Sequence, residues 1–165
     1  MSVLLQIRKG EYAIYNERLY RVLSFNSDAD ILTLCSTDIN DLNNGFVRNE
    51  SESIVKLYGF ISTKEVQRKE ITKAYRISTH AEYKGYKLDI IGGKNDAEFL
   101  TLSTHNRISH VPVGEELFLR ESLISIGFHE GHTDIDGSWY EKEVSINDPD
   151  LKLVENSGEI DVTEL

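Results

Sequence analysis

The sequence predicts a mainly β protein with little helix, built as two tandem related antiparallel units that form small barrels or packed sheets. Three observations lead there. The first is an internal echo: Asp28-Ala29-Asp30-Ile31-Leu32-Thr33-Leu34-Cys35-Ser36-Thr37 returns as Asp96-Ala97-Glu98-Phe99-Leu100-Thr101-Leu102-Ser103-Thr104. Around it, Tyr12-Ala13-Ile14 matches Tyr75-Arg76-Ile77, Leu19-Tyr20-Arg21-Val22 matches Gly85-Tyr86-Lys87-Leu88, Gly45-Phe46 matches Gly127-Phe128 and Lys56 matches Lys142. Matched blocks in one order are the signature of repeated units. The second is composition. Five alanines stand against eight tyrosines and many Ile, Val and Thr, a bias towards strand. The third is pattern, with short alternating apolar runs cut by turn residues.

In chain order, Glu11–Tyr15 reads as a strand and Asn16-Glu17-Arg18 as a hairpin connection. The next strand, Leu19–Phe25, puts Leu19, Arg21, Leu23 and Phe25 on one face and Tyr20 and Val22 on the other. Asn26-Ser27-Asp28 turns the chain into the strand Ile31–Cys35. Polar Asp38–Asn44 reads as a loop, Phe46-Val47 and Ile54–Tyr58 as strand, and Ser62–Glu70 as a short helix or the join between units. The second unit repeats the plan with strands at 74–78, 86–91 and 98–103. It then diverges in an inserted segment, 105–126, whose Glu115–Ile126 stretch is compatible with one helix or another hairpin. The expected organisation is a first unit over 1–73, a second over 74–155 and a frayed acidic tail over 156–165. Two units of roughly 70–80 residues are each near the lower limit for a separate core, so a shared interface is expected.

The net charge of −10 is unevenly placed. Residues 1–73 carry 10 acids and 10 bases, whereas 74–165 carry 18 acids and 8 bases. Such a field repels nucleic acid and anionic membrane and attracts a basic partner. The commoner use of net negative charge is solubility, but its concentration in one unit favours a partner. Met1–Leu5 is followed at once by Gln6-Ile7-Arg8-Lys9-Gly10, which leaves no apolar region of a secretory leader. No run of apolar residues is long enough for a spanning helix, so a cytoplasmic protein is expected. Cys35 is the single cysteine and belongs to a strand core.

His129-Glu130-Gly131-His132 with Asp134 and Asp136 is the nearest approach to a chemical motif. Its histidines are at i and i+3 with a glycine between them, which does not fit the helical zinc motif. Asp134-Ile135-Asp136-Gly137 lacks the ligand set of a calcium loop. A polar turn accounts for both, and no metal or cofactor is expected. His105 and His110 lack the cationic cluster a nuclease needs around its acid and base. The repeated Leu-Thr-Leu block has no nucleophile elbow, and Gly92-Gly93 no following helix. No catalytic residue is expected. There remains a set of carboxylates around an aromatic pair: Glu130, Asp134, Asp136, Trp139, Tyr140, Glu141 and Glu143. These are the expected partner-binding residues, with the charges speeding encounter and the rings supplying desolvated contact.

The chain resembles the small, acidic, strand-rich immunity proteins of bacterial polymorphic-toxin and contact-dependent inhibition systems. The resemblance is carried by Lys9-Gly10-Glu11-Tyr12-Ala13-Ile14-Tyr15, by Tyr20-Arg21-Val22 and by Gly45-Phe46 with Val55-Lys56. It implies a non-enzymatic antitoxin that binds and neutralises a basic toxin domain, often a nuclease. A structural or adaptor module, and a metal-dependent enzyme using the His129–Asp136 region, are the alternatives.

Overall fold

The computed structural model describes residues 7–53, 55, 59–92, 98–104, 113–134 and 137–165, and for 113–118, 132–134 and 137–138 the backbone alone. The protein is mainly β, as expected, and its strands pair in antiparallel fashion. The strands are β1 (Gly10–Tyr15), β2 (Arg18–Asn26), β3 (Ile31–Ser36), β4 (Val47–Arg48), β5 (Ser62–Gln67), β6 (Lys73–Tyr83), β7 (Tyr86–Gly92), β8 (Phe99–Ser103), β9 (His129–Asp134), β10 (Gly137–Ser145) and β11 (Leu151–Ile160). A helix, α1, spans Val113–Ser125. The strand order is β4-β5-β3-β2-β1-β6-β7-β8-β10-β9, with β11 also pairing to β6. Among the described residues the sheet is open.

The chain divides into two compact units. The first takes the described residues up to Ser78 together with Glu155–Leu165, and the second takes Thr79 and the described residues from there to Val154. The dividing point therefore lies within β6 and not at residue 73. The tail is not frayed: β11 runs on to Ile160, a 3-10 turn follows at Val162–Glu164, and Leu165 is buried. The acids of this segment, Glu155 and Glu159 on β11 and Asp161 and Glu164 at the 3-10 turn, are all exposed, so ordering the tail does not bury them.

In the first unit Ala13, Tyr15, Tyr20, Val22, Leu32, Leu34, Phe46, Val66, Ile71, Ala74 and Leu165 form one core. In the second, Ala81, Tyr83, Leu88, Leu100, Leu102, Leu123, Phe128, Tyr140 and Val144 are buried. Leu32 and Leu34, and Leu100 and Leu102, are fully buried, so the period-two pattern read in the repeated block does mark a core face.

Pairing registers recur between the units. Ala13 lies opposite Tyr20, as Ala81 lies opposite Leu88. Val22 lies opposite Leu34, as Ile90 lies opposite Leu102, and in both places the ladder slips before the next pair, Ser24 with Thr33 or Gly92 with Thr101. Leu34 faces Lys64 as Leu102 faces Lys142. These registers put Lys64 in the place of Lys142. Lys56, which the sequence blocks suggested, lies outside the described residues. Tyr12 and Tyr75 are paired neighbours across β1 and β6, so the likeness of the segments around them does not mark equivalent strands.

Three local expectations change. Asp38–Asn44 is a 3-10 turn at Ile39–Asn44, started by the Asp38 side chain accepting from the Asn40 amide. Ser62–Gln67 is β5, held by six pairs to β3, and only Arg68–Glu70 is helical. Its charges misled because Ser62 and Val66 face in while Glu65 and Gln67 are exposed. Within the expected strand 54–58, Val55 is helical and its amide donates to the Ser51 carbonyl; Ile54 and residues 56–58 lie outside the described residues. The alternatives for 115–126 resolve as helix.

Candidate functional site

The residues singled out in the sequence fall on the β9–β10 hairpin, and the structure sorts them by face. Along β10, Trp139, Glu141 and Glu143 alternate with Tyr140, Lys142 and Val144. Tyr140 is 3% exposed, its amide donates to Thr104 Oγ1 at 3.1 Å, and the Arg120 guanidinium lies 5.9 Å from its ring. Tyr140 is thus a core residue and not a contact residue, because the strand's two-residue period turns it inward between its neighbours.

Trp139 is half-buried and donates from its indole Nε1 to Glu141 Oε1 at 2.7 Å. The Glu141 side chain also lies against Gly131, where a Cβ would come within 2.4 Å of its carboxyl carbon. Gly131 is the extra residue of β9 where the ladder slips between Trp139 and Tyr140. Glu143 is exposed beside Thr101, and Glu130 is exposed opposite Tyr140. Asp134 is placed by its backbone alone, opposite Gly137. Asp136 lies outside the described residues, as do His105 and His110. The structure therefore brings Trp139, Glu141 and Glu143 together on one face.

The histidine motif is part of a strand rather than the expected turn. His129 is exposed opposite Glu141, and the backbone of His132 lies opposite Trp139. No group of three metal-ligating side chains occurs among the described residues.

Two polar features of the first unit escaped the sequence. One is Asp41, a fully buried carboxylate. Its Oδ1 accepts from Arg18 Nη1 at 2.6 Å, Tyr20 OH at 3.2 Å and Asn44 Nδ2 at 3.3 Å, and its Oδ2 accepts from Ser36 Oγ. Burial pulls this carboxyl upward, but the Ser36, Asn44 and Tyr20 hydrogen bonds and the Arg18 charge outweigh it and hold it below the ordinary value. Tyr20 is pushed up by burial and by the Asp41 charge. A carboxylate with four donors and no exposed surface has no means of taking a substrate proton, so Asp41 fastens the β1–β2 hairpin to the 3-10 turn. The sequence signal was present but indirect. Aligning Gly45-Phe46 with Gly127-Phe128 puts Asp41 where the second unit has Leu123.

The other is a cavity of about 390 Å³ lined by Gly10, Glu11, Arg21, Val22, Leu23, Ser24, Phe25, Arg76 and Leu165. It is a recess of the first unit with both charged and apolar walls. Alternation alone gave no sign of it, since Arg21 shares its predicted face with Leu23 and Phe25.

A family model matches residues 7–120, a span that includes β1 to β8 and the start of α1. The chain belongs to the family described as uncharacterised conserved protein UCP033725. The matched span contains Asp41 and the charged lining of the cavity and ends before β9. No curated protein matches the chain, and no solved structure does. No helix among the described residues is long and apolar enough to cross a membrane.

Proposed function

We propose that this is a non-enzymatic binding protein that grips a basic protein partner through the outward face of β10. The observation that carries it is the presentation of Glu141 and Glu143, with Trp139 beside them, on one face of a paired strand. Neither glutamate has a Lys or Arg ion partner among the described residues, and Glu143 is exposed. Carboxylates held without internal cations favour encounter with a cationic surface, and a neighbouring indole offers contact area. In the form that the likeness to immunity proteins implies, the partner is a cognate toxin domain and the site of action is the cytoplasm.

The recurring registers support a second element of this proposal, that the two units descend from one duplicated unit. The first then braces the fold, and the second, which carries 13 acids against 6 bases over 79–93 and 97–154, supplies the surface.

The test is binding to the product of the adjacent gene, measured by calorimetry at two salt concentrations. Glu141→Lys with Glu143→Lys should weaken binding at least tenfold and flatten its salt dependence. Unimpaired activity of that neighbouring toxin in the presence of the wild-type protein would overturn the neutralising role.

A further inference from the structure

We infer that the recess between β1, β2 and β6 of the first unit is a binding site for a carboxylate carried on an apolar body, a role independent of the β10 face. The guanidinium of Arg21 is its centre. Arg21 Nη1 donates to the carbonyls of Glu11 and Val22, and the group lies 5.7 Å from the centre of the Tyr12 ring. Its place is set by Gly10, at φ 122°, where a Cβ would meet Arg21 Nη2 at 2.3 Å. The glycine lets the guanidinium lie flat on the backbone, and that fixes the direction of its fork.

Charge then selects the ligand. Arg76 Nη2 is paired with Glu11 Oε1 at 3.1 Å. Arg21 has no carboxylate partner among the described residues, and its Nε and Nη2 have no hydrogen-bond acceptor among them. Of the charged side chains that line the recess, Arg76 and Glu11 pair with each other and Arg21 stands apart. One planar guanidinium with donors to spare fits a monoanionic carboxylate in forked geometry.

The walls select the body. Leu23 and Phe25 line the recess and are 47% and 37% exposed. Leu23 is the extra residue at the slip in the β2–β3 ladder between Val22 and Ser24, which re-aims β2 at the rim. A volume of about 390 Å³ is at the small end for ligand pockets, room for one ring or branched chain. The fold itself does not require this chemistry. By the registers shared between the units, Asp89 stands where Arg21 does, and Asp89 pairs with Ser103 as Arg21 pairs with Cys35.

The carboxylate can come from a free organic acid or from the C-terminus of a peptide, and the test separates them. Phenylacetate and the peptide Ala-Ala-Phe, each titrated into the full-length protein, are followed by backbone amide shifts. Both are compared with uncharged counterparts, phenethyl alcohol and the amidated peptide. Saturable shifts at Gly10 and Ser24 are expected from at least one acid, weakened tenfold or more in its neutral counterpart. Tighter binding of the peptide identifies a chain terminus as the source, and tighter binding of phenylacetate a free acid. Arg21→Gln should abolish the shifts while preserving the spectrum elsewhere, and Glu143→Gln should leave them unchanged. Absence of saturable shifts with both acids, or equal shifts from the neutral counterparts on wild-type protein, overturns the proposal whether or not Arg21→Gln folds.

Discussion

Asp41 and Leu123 hold the same place in the two units, one a carboxylate and the other a hydrocarbon. The amide of Phe46 donates to the Asp41 carbonyl at 3.2 Å, and the amide of Phe128 donates to the Leu123 carbonyl at 3.0 Å. A glycine in the left-handed region precedes each phenylalanine, Gly45 at φ 85° and Gly127 at φ 96°. Both side chains are fully buried. The same backbone device thus closes a polar knot in the first unit and an apolar one in the second. The recurring backbone device needs only a filled position there, and the chemistry that fills it is free to differ.

Replacing Asp41 by Leu should therefore fail on its own. It would leave the donors of Arg18, Tyr20, Ser36 and Asn44 facing a methyl group, and unpaired buried donors cost about 1–3 kcal/mol each before relaxation. We expect a net loss of about 3 kcal/mol, lessened because Arg18 is half exposed and can turn to water. Asp41→Leu combined with Tyr20→Leu and Ser36→Thr, the set resembling Leu123, Leu88 and Thr104, should recover part of that loss. Urea unfolding of the single and triple variants measures both. A single variant as stable as wild type would remove Asp41 from its structural role.

Acid should act through the same group. The Asp41 carboxyl is held below its ordinary value in the folded state, and so is that of Glu155, which accepts from Arg8. A depressed folded pKa contributes stability that is present above the unfolded value, about 3.9 for Asp and 4.3 for Glu. That stability is lost as pH falls through the lower folded value. The urea midpoint should accordingly be level from pH 7 to about 5 and fall below about 4. Asp41→Asn should start lower and show a shallower fall. Parallel curves for the two proteins would assign the acid sensitivity elsewhere.

The alternation of Leu32 and Leu34 with Ile31 and Thr33, and its echo at Leu100 and Leu102, made the core strands legible, because burial on one face writes a two-residue period into the chain. Ser62–Gln67 was not legible. Its inward residues are a serine and a valine four apart, so the period carries no hydrophobic amplitude, and its place in the sheet is settled by tertiary pairing to β3. Tyr140 was misassigned because an acidic neighbourhood was averaged over a strand whose faces alternate. Asp41 and Arg21 were missed for a common reason. Asp41 takes its cation from Arg18, 23 positions away, and Arg21 is held by the Glu11 carbonyl, 10 positions away, and no local spacing records such a partner.

Cys35 should be inert in the native protein. It is buried, and burial pushes its thiol up to about 11 against a small opposing effect of Arg21. The thiolate, which is the reactive form, is scarce at pH 8, and the side chain is sterically covered. Reaction with a disulfide reagent at pH 8 should proceed only through unfolding, with a rate that rises sharply across the urea transition. Rapid stoichiometric labelling without denaturant would contradict the placement of β3 in the core.

The last test concerns the acidic end of the chain, where charge suggested fraying and the structure shows attachment. Arg68 donates from Nη1 to the Val162 carbonyl at 2.8 Å and from Nη2 to the Leu165 carbonyl at 3.3 Å. Its Nε donates to Asp30 Oδ1 at 2.8 Å, and its guanidinium lies 4.2 Å from the centre of the Phe25 ring. One side chain thus ties the tail to the turn before β3 and to β2, and Leu165 enters the core beside Ile160 and Val162. A mostly buried leucine cut back to alanine costs about 2–4 kcal/mol when its site cannot collapse. The rim position of Leu165 places the expected loss for Leu165→Ala near the lower figure, about 2 kcal/mol. Arg68→Ala should cost a similar amount by freeing two carbonyls and the aromatic face together, and the double variant should lose less than the sum, because both act on one attachment. Hydrogen exchange supplies an independent measure: the Leu165 amide, bonded to the Val162 carbonyl at 3.3 Å, should be protected in wild type and exposed in Arg68→Ala. Additive losses, or a Leu165 amide that exchanges at the free-peptide rate in wild type, would show that the tail rests on the first unit without supporting it.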